Sequence, residues 1–267
     1  MFPFRILLAI AGLALAATAA GAEDLRDFCP DRPGLGTPPC TMDPGHFDIE
    51  AGLVDWTLDR TQDLRTDTIE AGQLLVRVGL TDSLEAQLGW TAFGHVRDRD
   101  RFTGSVDHAS GVGDLTVALR QNLKNSDGSG FSLAVMPYAT LPTGGRAIGA
   151  GEWSAGMLVP LSYELGKGVQ LGFTGKVEAA ADEDRDGRHL AYGGVGGLSV
   201  ELSDTLDATF EIEADRDEDP SGHSTQWLAG ISAGWMANDN LQLDAGANIG
   251  LHEAPDVELY LGVSRRF

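Results

Sequence analysis

Leu241-Gln242-Leu243-Asp244-Ala245-Gly246-Ala247-Asn248-Ile249-Gly250-Leu251 places an apolar residue at every odd position and a polar residue or glycine at every even one. On a strand, successive side chains point to opposite faces, so this segment has one oily and one wet face. Working outward from it, segments of the same kind run from Phe47 to Phe267 with no amphipathic helix between them. About twelve such segments predict an all-β protein, a transmembrane antiparallel up-and-down β-barrel with lipid outside and water inside.

The connections support this reading. Thr81-Asp82-Ser83, Gly166-Lys167-Gly168, Ser203-Asp204 and Asn238-Asp239-Asn240 are tight turns of residues that tolerate left-handed backbone, and 124–130 is a longer relative. They alternate with longer, more charged connections at 58–66, 95–111, 142–151, 181–188, 216–223 and 252–255. Outer-membrane barrels have this asymmetry, with short turns in the periplasm and long loops outside. Aromatic spacing agrees. Trp153 and Tyr163 share a face with Ala155, Met157, Val159 and Leu161 between them, and Trp227 and Trp235 flank Ala229, Ile231 and Ala233. At roughly 3.3 Å per residue and a strand tilt near 40°, ten residues climb about 25 Å, the height of an apolar band between aromatic girdles.

The ends of the chain fit export. Arg5, the apolar run Ile6–Ala20 and the A-x-A site Ala20-Gly21-Ala22 read as a signal peptide over 1–22. No cysteine follows the small residues directly, which argues against a lipoprotein, and no later run approaches a membrane-spanning helix. The destination is the outer membrane of a Gram-negative-type cell. Losing Arg5 with the leader moves the net charge of −21 to −22, which argues against nucleic-acid binding. Residues 23–46 are rich in Pro and Gly and predict an irregular periplasmic arm before the barrel at 47–267. Cys29 and Cys40, the only cysteines, both lie in it, and export favours a disulfide between them.

The wet face supplies the candidate functional residues. Glu50, Arg77, Glu85, Arg120, Lys176, Glu178, Glu211 and Asp244 are read as lumen-lining. A lipid-facing charge near mid-bilayer costs about 2–4 kcal/mol, so these side chains belong inside. They would set the field in a solute path, or fill a narrow bore as an ion-pair network. No catalytic residue, metal ligand or cofactor is assigned. His108-Ala109-Ser110 and Asn122 supply the residue types of a barrel phospholipase. However, 112–123 reads as one strand, and twelve extended residues between Ser110 and Asn122 span roughly 40 Å. Asp182-Glu183-Asp184-Arg185-Asp186-Gly187 resembles the start of a calcium loop, but Gly193 stands where the closing Glu belongs. Arg97, Arg99 and Arg101 alternate with Asp98 and Asp100 and suit lipid phosphates or internal pairing equally.

Ser110-Gly111-Val112-Gly113-Asp114-Leu115 and Leu141-Pro142-Thr143-Gly144 resemble the GxGD-L and LPTG stretches of the outer-membrane barrel family named for the meta-pathway of phenol degradation. The resemblance covers essentially the whole mature chain. It implies an outer-membrane channel or transporter for a small molecule, in that family a hydrophobic or aromatic compound. Val257–Phe267 is similar to the signal read by the barrel-assembly machinery, with Arg265 a departure from it. The expected partners are therefore outer-membrane lipid and lipopolysaccharide, that machinery through Phe267, and a small solute. The alternatives are a barrel enzyme acting on lipid and a non-conducting structural barrel.

Overall fold

Val, Ile, Leu and aromatic residues at every second position favour extended chain, and one apolar face can be satisfied only by lipid or another apolar surface. The computed structural model describes residues 25–267, and the signal-peptide assignment lies outside them. The strands are β1 (Phe47–Arg60), β2 (Leu64–Thr81), β3 (Leu84–Asp100), β4 (Val106–Gly111), β5 (Leu115–Lys124), β6 (Phe131–Leu141), β7 (Ser154–Glu164), β8 (Val169–Ala181), β9 (Arg188–Ser203), β10 (Leu206–Asp217), β11 (Ser224–Asn238), β12 (Leu241–His252) and β13 (Val257–Arg266). β4 and β5 pair with successive parts of β3 and form one interrupted stave. Thirteen strands therefore make twelve staves, and the pairings β2–β3 and β1–β13 close the sheet. Every pairing is antiparallel. Closure leaves every stave paired on both sides except at β4, which pairs with β3 alone, and a closed sheet is the form in which strands can cross hydrocarbon. At the seam, the ring of the terminal Phe267 stacks on Phe47 with centroids 5.0 Å apart.

The molecule is apolar outside and polar inside. Tyr163, Phe173, Phe210, Ile231, Trp235 and Leu261 are exposed, whereas Glu50, Arg77, Glu85 and Arg120 are wholly buried. Trp153 and Tyr163 lie on the outer face, and Arg188 stacks over Trp153 at 4.4 Å.

Two departures from the sequence expectation sit in one wall. The connection expected over 95–111 is mostly strand, because β3 runs to Asp100 and β4 begins at Val106. The strand expected over 112–123 is present as β5 but starts three residues late, because Val112–Asp114 leave the ladder and break the stave between β4 and β5. Beside this break Gly72 has φ +68°. Gln73 bonds Glu70, three residues away, at 2.6 Å, and Trp90 and Phe93 are both exposed despite opposite parity. Which residues face out therefore reverses in the upper part of β2 and β3 with no slip there between those two strands, and the register shift beside it lies in β1, between Gly52 and Val54 opposite β13.

The two glycine stretches meet at this break and seal it. Asp114 accepts hydrogen bonds from the Gly144 and Ala150 amides, both at 2.7 Å. The Thr143 hydroxyl accepts one from the Leu115 amide at 2.9 Å. A Cβ on Gly144 would lie 2.6 Å from the Gly113 carbonyl carbon, so the close approach requires glycine. These stretches build the wall.

Candidate functional site: a bridged lumen

The Pro/Gly-rich arm enters the barrel beside the strand ends joined by short turns and crosses the lumen. Cys29 and Cys40 are joined by a disulfide. On one side the arm meets β1, β2, β3 and β5. Arg77 takes Glu85 bidentately, with Nε–Oε1 at 3.0 Å and Nη2–Oε2 at 3.1 Å. Its Nη1 also reaches Asp31, Asp48 and Glu50 at 3.2–3.4 Å and donates to the Cys29 carbonyl at 2.7 Å. Arg120 bonds Asp31 at 2.6 Å and the Cys40 carbonyl at 3.0 Å. The carboxylates also accept from the arm's backbone. Glu50 takes the Asp31 and Arg32 amides, both at 2.8 Å, and Glu85 takes the Met42 amide at 2.8 Å. Asn122 donates to the Pro39 carbonyl at 2.8 Å.

The far side of the bore holds the arm's tip. Glu211 on β10 accepts the Leu35 and Gly36 amides at 2.7 and 2.9 Å. Thr174 on β8 exchanges two hydrogen bonds with the Thr37 backbone at 2.9 and 3.0 Å. Arg32 pairs with Asp244 on β12 at 3.0 Å and lies over the Tyr260 ring at 5.4 Å. A segment without regular structure would carry unmet amides and carbonyls into the bore. The lumen side chains meet them, which is how irregular chain is tolerated at membrane depth.

Of the eight residues read as lumen-lining, Glu50, Arg77, Glu85 and Arg120 thus lie in one buried ion-pair network with the arm. Glu211 and Asp244 grip its tip. Lys176 pairs instead with Asp215 on β10, and Glu178 lies against the Tyr138 hydroxyl. Asp31, Arg32, Asp48, Thr174 and Asp215 belong to the arrangement and were missed. The alternation marked Thr174 and Asp215 as inward, but nothing local in the arm pointed to Asp31 or Arg32.

Beside the arm, a cavity of about 1720 Å³ opens at the short-turn end, lined by parts of the turns and by Arg26, Phe28, Gln170, Ser199, Glu201 and Asp207 among others. A smaller one of about 160 Å³ lies near the long loops between Lys176, Glu178, Asp215 and Gln226.

The phospholipase-type trio does not assemble. Ser110 bonds His95 at 2.7 Å on the exposed β3–β4 hairpin, whereas Asn122 bonds Pro39 and Ser132 inside the barrel. The calcium-like stretch does not close as a calcium loop either, because Asp182 turns to His189 at 3.0 Å.

The model of the family described as "Putative MetA-pathway of phenol degradation" matches residues 30–267. No curated protein matches the chain by sequence. Among solved structures, the NanC porin is similar with TM-score 0.51 and 10% identity, over 82% of this chain and 98% of that one. The KdgM porin in complex with oligogalacturonate gives TM-score 0.52 and 9% identity, over 83% and 99%. The transport unit of the autotransporter AIDA-I from Escherichia coli gives 0.50 and 7%, over 82% and 88%. At such identities the likeness is one of fold, the twelve-stave outer-membrane barrel.

Proposed function

Because the chain belongs to the family described as "Putative MetA-pathway of phenol degradation", we propose that it lies in an outer membrane and passes a small aromatic molecule across it. The short turns, the start of β1 and the end of β13 then face the periplasm and the long loops face outside. The exposed apolar band meets lipid. The loops lie among lipopolysaccharide, and Phe267 is presented to the assembly machinery. No catalytic step is part of the proposal.

The observation that carries it is a polar lumen crossed by a segment held through side-chain contacts to opposite walls. The bonds from Glu50, Glu85 and Glu211 to arm amides can be exchanged for bonds to water, so the arm can shift without breaking the barrel's ladders. The cavity beside it exceeds the roughly 300–1,000 Å³ of ordinary small-molecule sites. The wall residues favour one kind of solute. Carboxylates outnumber cations along the bore, so a neutral aromatic compound with hydroxyl donors suits it better than an anionic one. A phenol has that character.

Osmotic swelling of proteoliposomes containing the refolded mature protein tests the reading. Swelling above protein-free vesicles is expected in a neutral trihydroxybenzene, with less in benzoate. A folded, heat-modifiable barrel that gives no swelling in either solute would reject passage and favour a non-conducting role.

A further inference from the structure

Away from the arm, at the long-loop mouth, four polar side chains from three chain segments converge. Asp182 follows β8, His189 is the second residue of β9, Asp217 ends β10, and Asp219 lies in the β10–β11 loop. His189 pairs across the ladder with Ala180, and Asp217 with Ala191, both of which sit on the lumen face with Glu178 and Lys176. The cluster therefore faces the inside of the mouth.

Its geometry is that of a ligand set. His189 Nδ1 lies 3.0 Å from Asp182 Oδ1 and 3.4 Å from Asp219 Oδ2. Three ligand atoms, one from each residue, fall within 4.8 Å of one another. Bonds of about 2.0–2.1 Å to a tetrahedral ion put neighbouring ligand atoms about 3.3 Å apart, close to both observed spacings. The other ring nitrogen, Nε2, is buried and completes no aligned hydrogen bond, although Asp217 Oδ1 is 2.9 Å away. A carboxylate behind the second nitrogen is the usual outer partner of a metal-bound imidazole.

The cluster is also held in shape. The His189 side chain is 5% exposed, and those of Asp182 and Asp219 11% each. Asp219 is oriented by the Ser221 and Glu183 amides, both at 2.7 Å. Gly187 leaves the space that the Asp182 carboxylate uses, since a Cβ there would collide with it. Arg188, next to His189 in sequence, is turned to Glu152 and Trp153. Three carboxylates thus converge on one imidazole, and a divalent cation would complete the charge balance.

The geometry points to Asp182, His189 and Asp219 as a site for a divalent transition-metal ion of the Zn²⁺ class, with Asp217 as its outer-shell carboxylate. One imidazole nitrogen with two carboxylate oxygens suits Zn²⁺ or its neighbours, whereas Ca²⁺ prefers six to eight oxygens. The ion would tie the β8–β9 and β10–β11 loops together at the rim and add positive charge to an acidic mouth. The inference stands independently of the solute proposed above.

Isothermal titration of the refolded, chelator-stripped protein with Zn²⁺, Ca²⁺ and Mg²⁺ tests it, with the heat-modifiable gel shift to verify folding. One equivalent of Zn²⁺ should bind, more tightly than Ca²⁺ or Mg²⁺. Asp217→Asn should weaken it about 10- to 100-fold, the usual effect of losing an outer-shell partner. His189→Ala should weaken it more. His95→Ala, at the other histidine cluster, should leave it unchanged. Co²⁺ should give a tetrahedral absorption band that Asp219→Asn removes, which provides a second readout if the His189 variant misfolds. Absence of Zn²⁺ binding, Ca²⁺ bound more tightly than Zn²⁺, or loss with His95→Ala instead of the rim variants would overturn the assignment.

Discussion

The two sides of the lumen carry the same kinds of residue in the same alternation and end in opposite physical states. On the β1–β5 side, Arg77, Arg120, Glu50 and Glu85 are sealed from solvent. On the β8–β10 side, the ion pair of Lys176 and Asp215 keeps its side chains 29% and 24% exposed beside open space. The arm makes the difference. Where its backbone lies against the wall, it displaces water and bonds the charges. Where its tip meets the far wall it buries Asp244 and Thr174 as well, and Lys176 and Asp215, which it does not touch, stay wet. The same carboxylate is therefore structural on one side and field-setting on the other.

Removing the arm should erase that contrast, with the largest effect. Deleting 25–43 leaves the twelve-stave ladder intact and hydrates the β1–β5 charges. Planar-bilayer recording is expected to show a large steady conductance where the full-length mature protein gives little. An equally large conductance from both would mean that the arm does not obstruct the bore. Arg77→Met comes next. It strands Asp48, Glu50 and Glu85 without their main cation, and breaking such buried networks costs about 3–5 kcal/mol. Urea titration followed by heat-modifiability should show that loss, and a change below about 1 kcal/mol, the range of exposed pairs, would mean that this wall is wet as well.

Asp114→Ala tests a third region, the sealed break. It removes the acceptor of the Gly144 and Ala150 amides, with a local cost of about 1–3 kcal/mol. Limited proteolysis should then cut within 142–151 in the variant and spare the wild type. The smallest effect is on the wet side. Lys176→Gln should change stability by less than about 1 kcal/mol. In the arm-deleted protein it should move the reversal potential toward cation selectivity, because one positive charge leaves the bore. An unchanged potential would place Lys176 outside the ion path.

Much of this architecture was legible in period-two alternation and in the alternating connection lengths, because lipid on one face and water on the other impose both. Trp153 with Tyr163 and Trp227 with Trp235 marked the outer face for the same reason. The β2–β4 wall was harder to read. Side-chain parity reverses at Gly72, and the Val112–Asp114 break has no periodic signal, since its polar groups are met by Thr91 and by Gly144, Gly145 and Ala150, about 30 positions on. The arm was legible as irregular chain with a favoured disulfide. Its route was not, because its contacts join residues as far apart as Arg32 and Asp244. The rim cluster was still less visible. Asp182 stood out only in a calcium-like stretch, and the residue that redirects it, His189, is an isolated histidine in sequence.

Local alternation and the chemistry of lipid and water were enough to specify a closed antiparallel barrel, its unequal ends and, outside the β2–β4 wall, its inner and outer faces. Which lumen charges are dry, where the arm crosses, and which loop carboxylates meet His189 emerge only when the chain is folded. Those outcomes depend on distant segments converging within about 3 Å, the reach of a hydrogen bond or ion pair, and no local pattern encodes such a meeting.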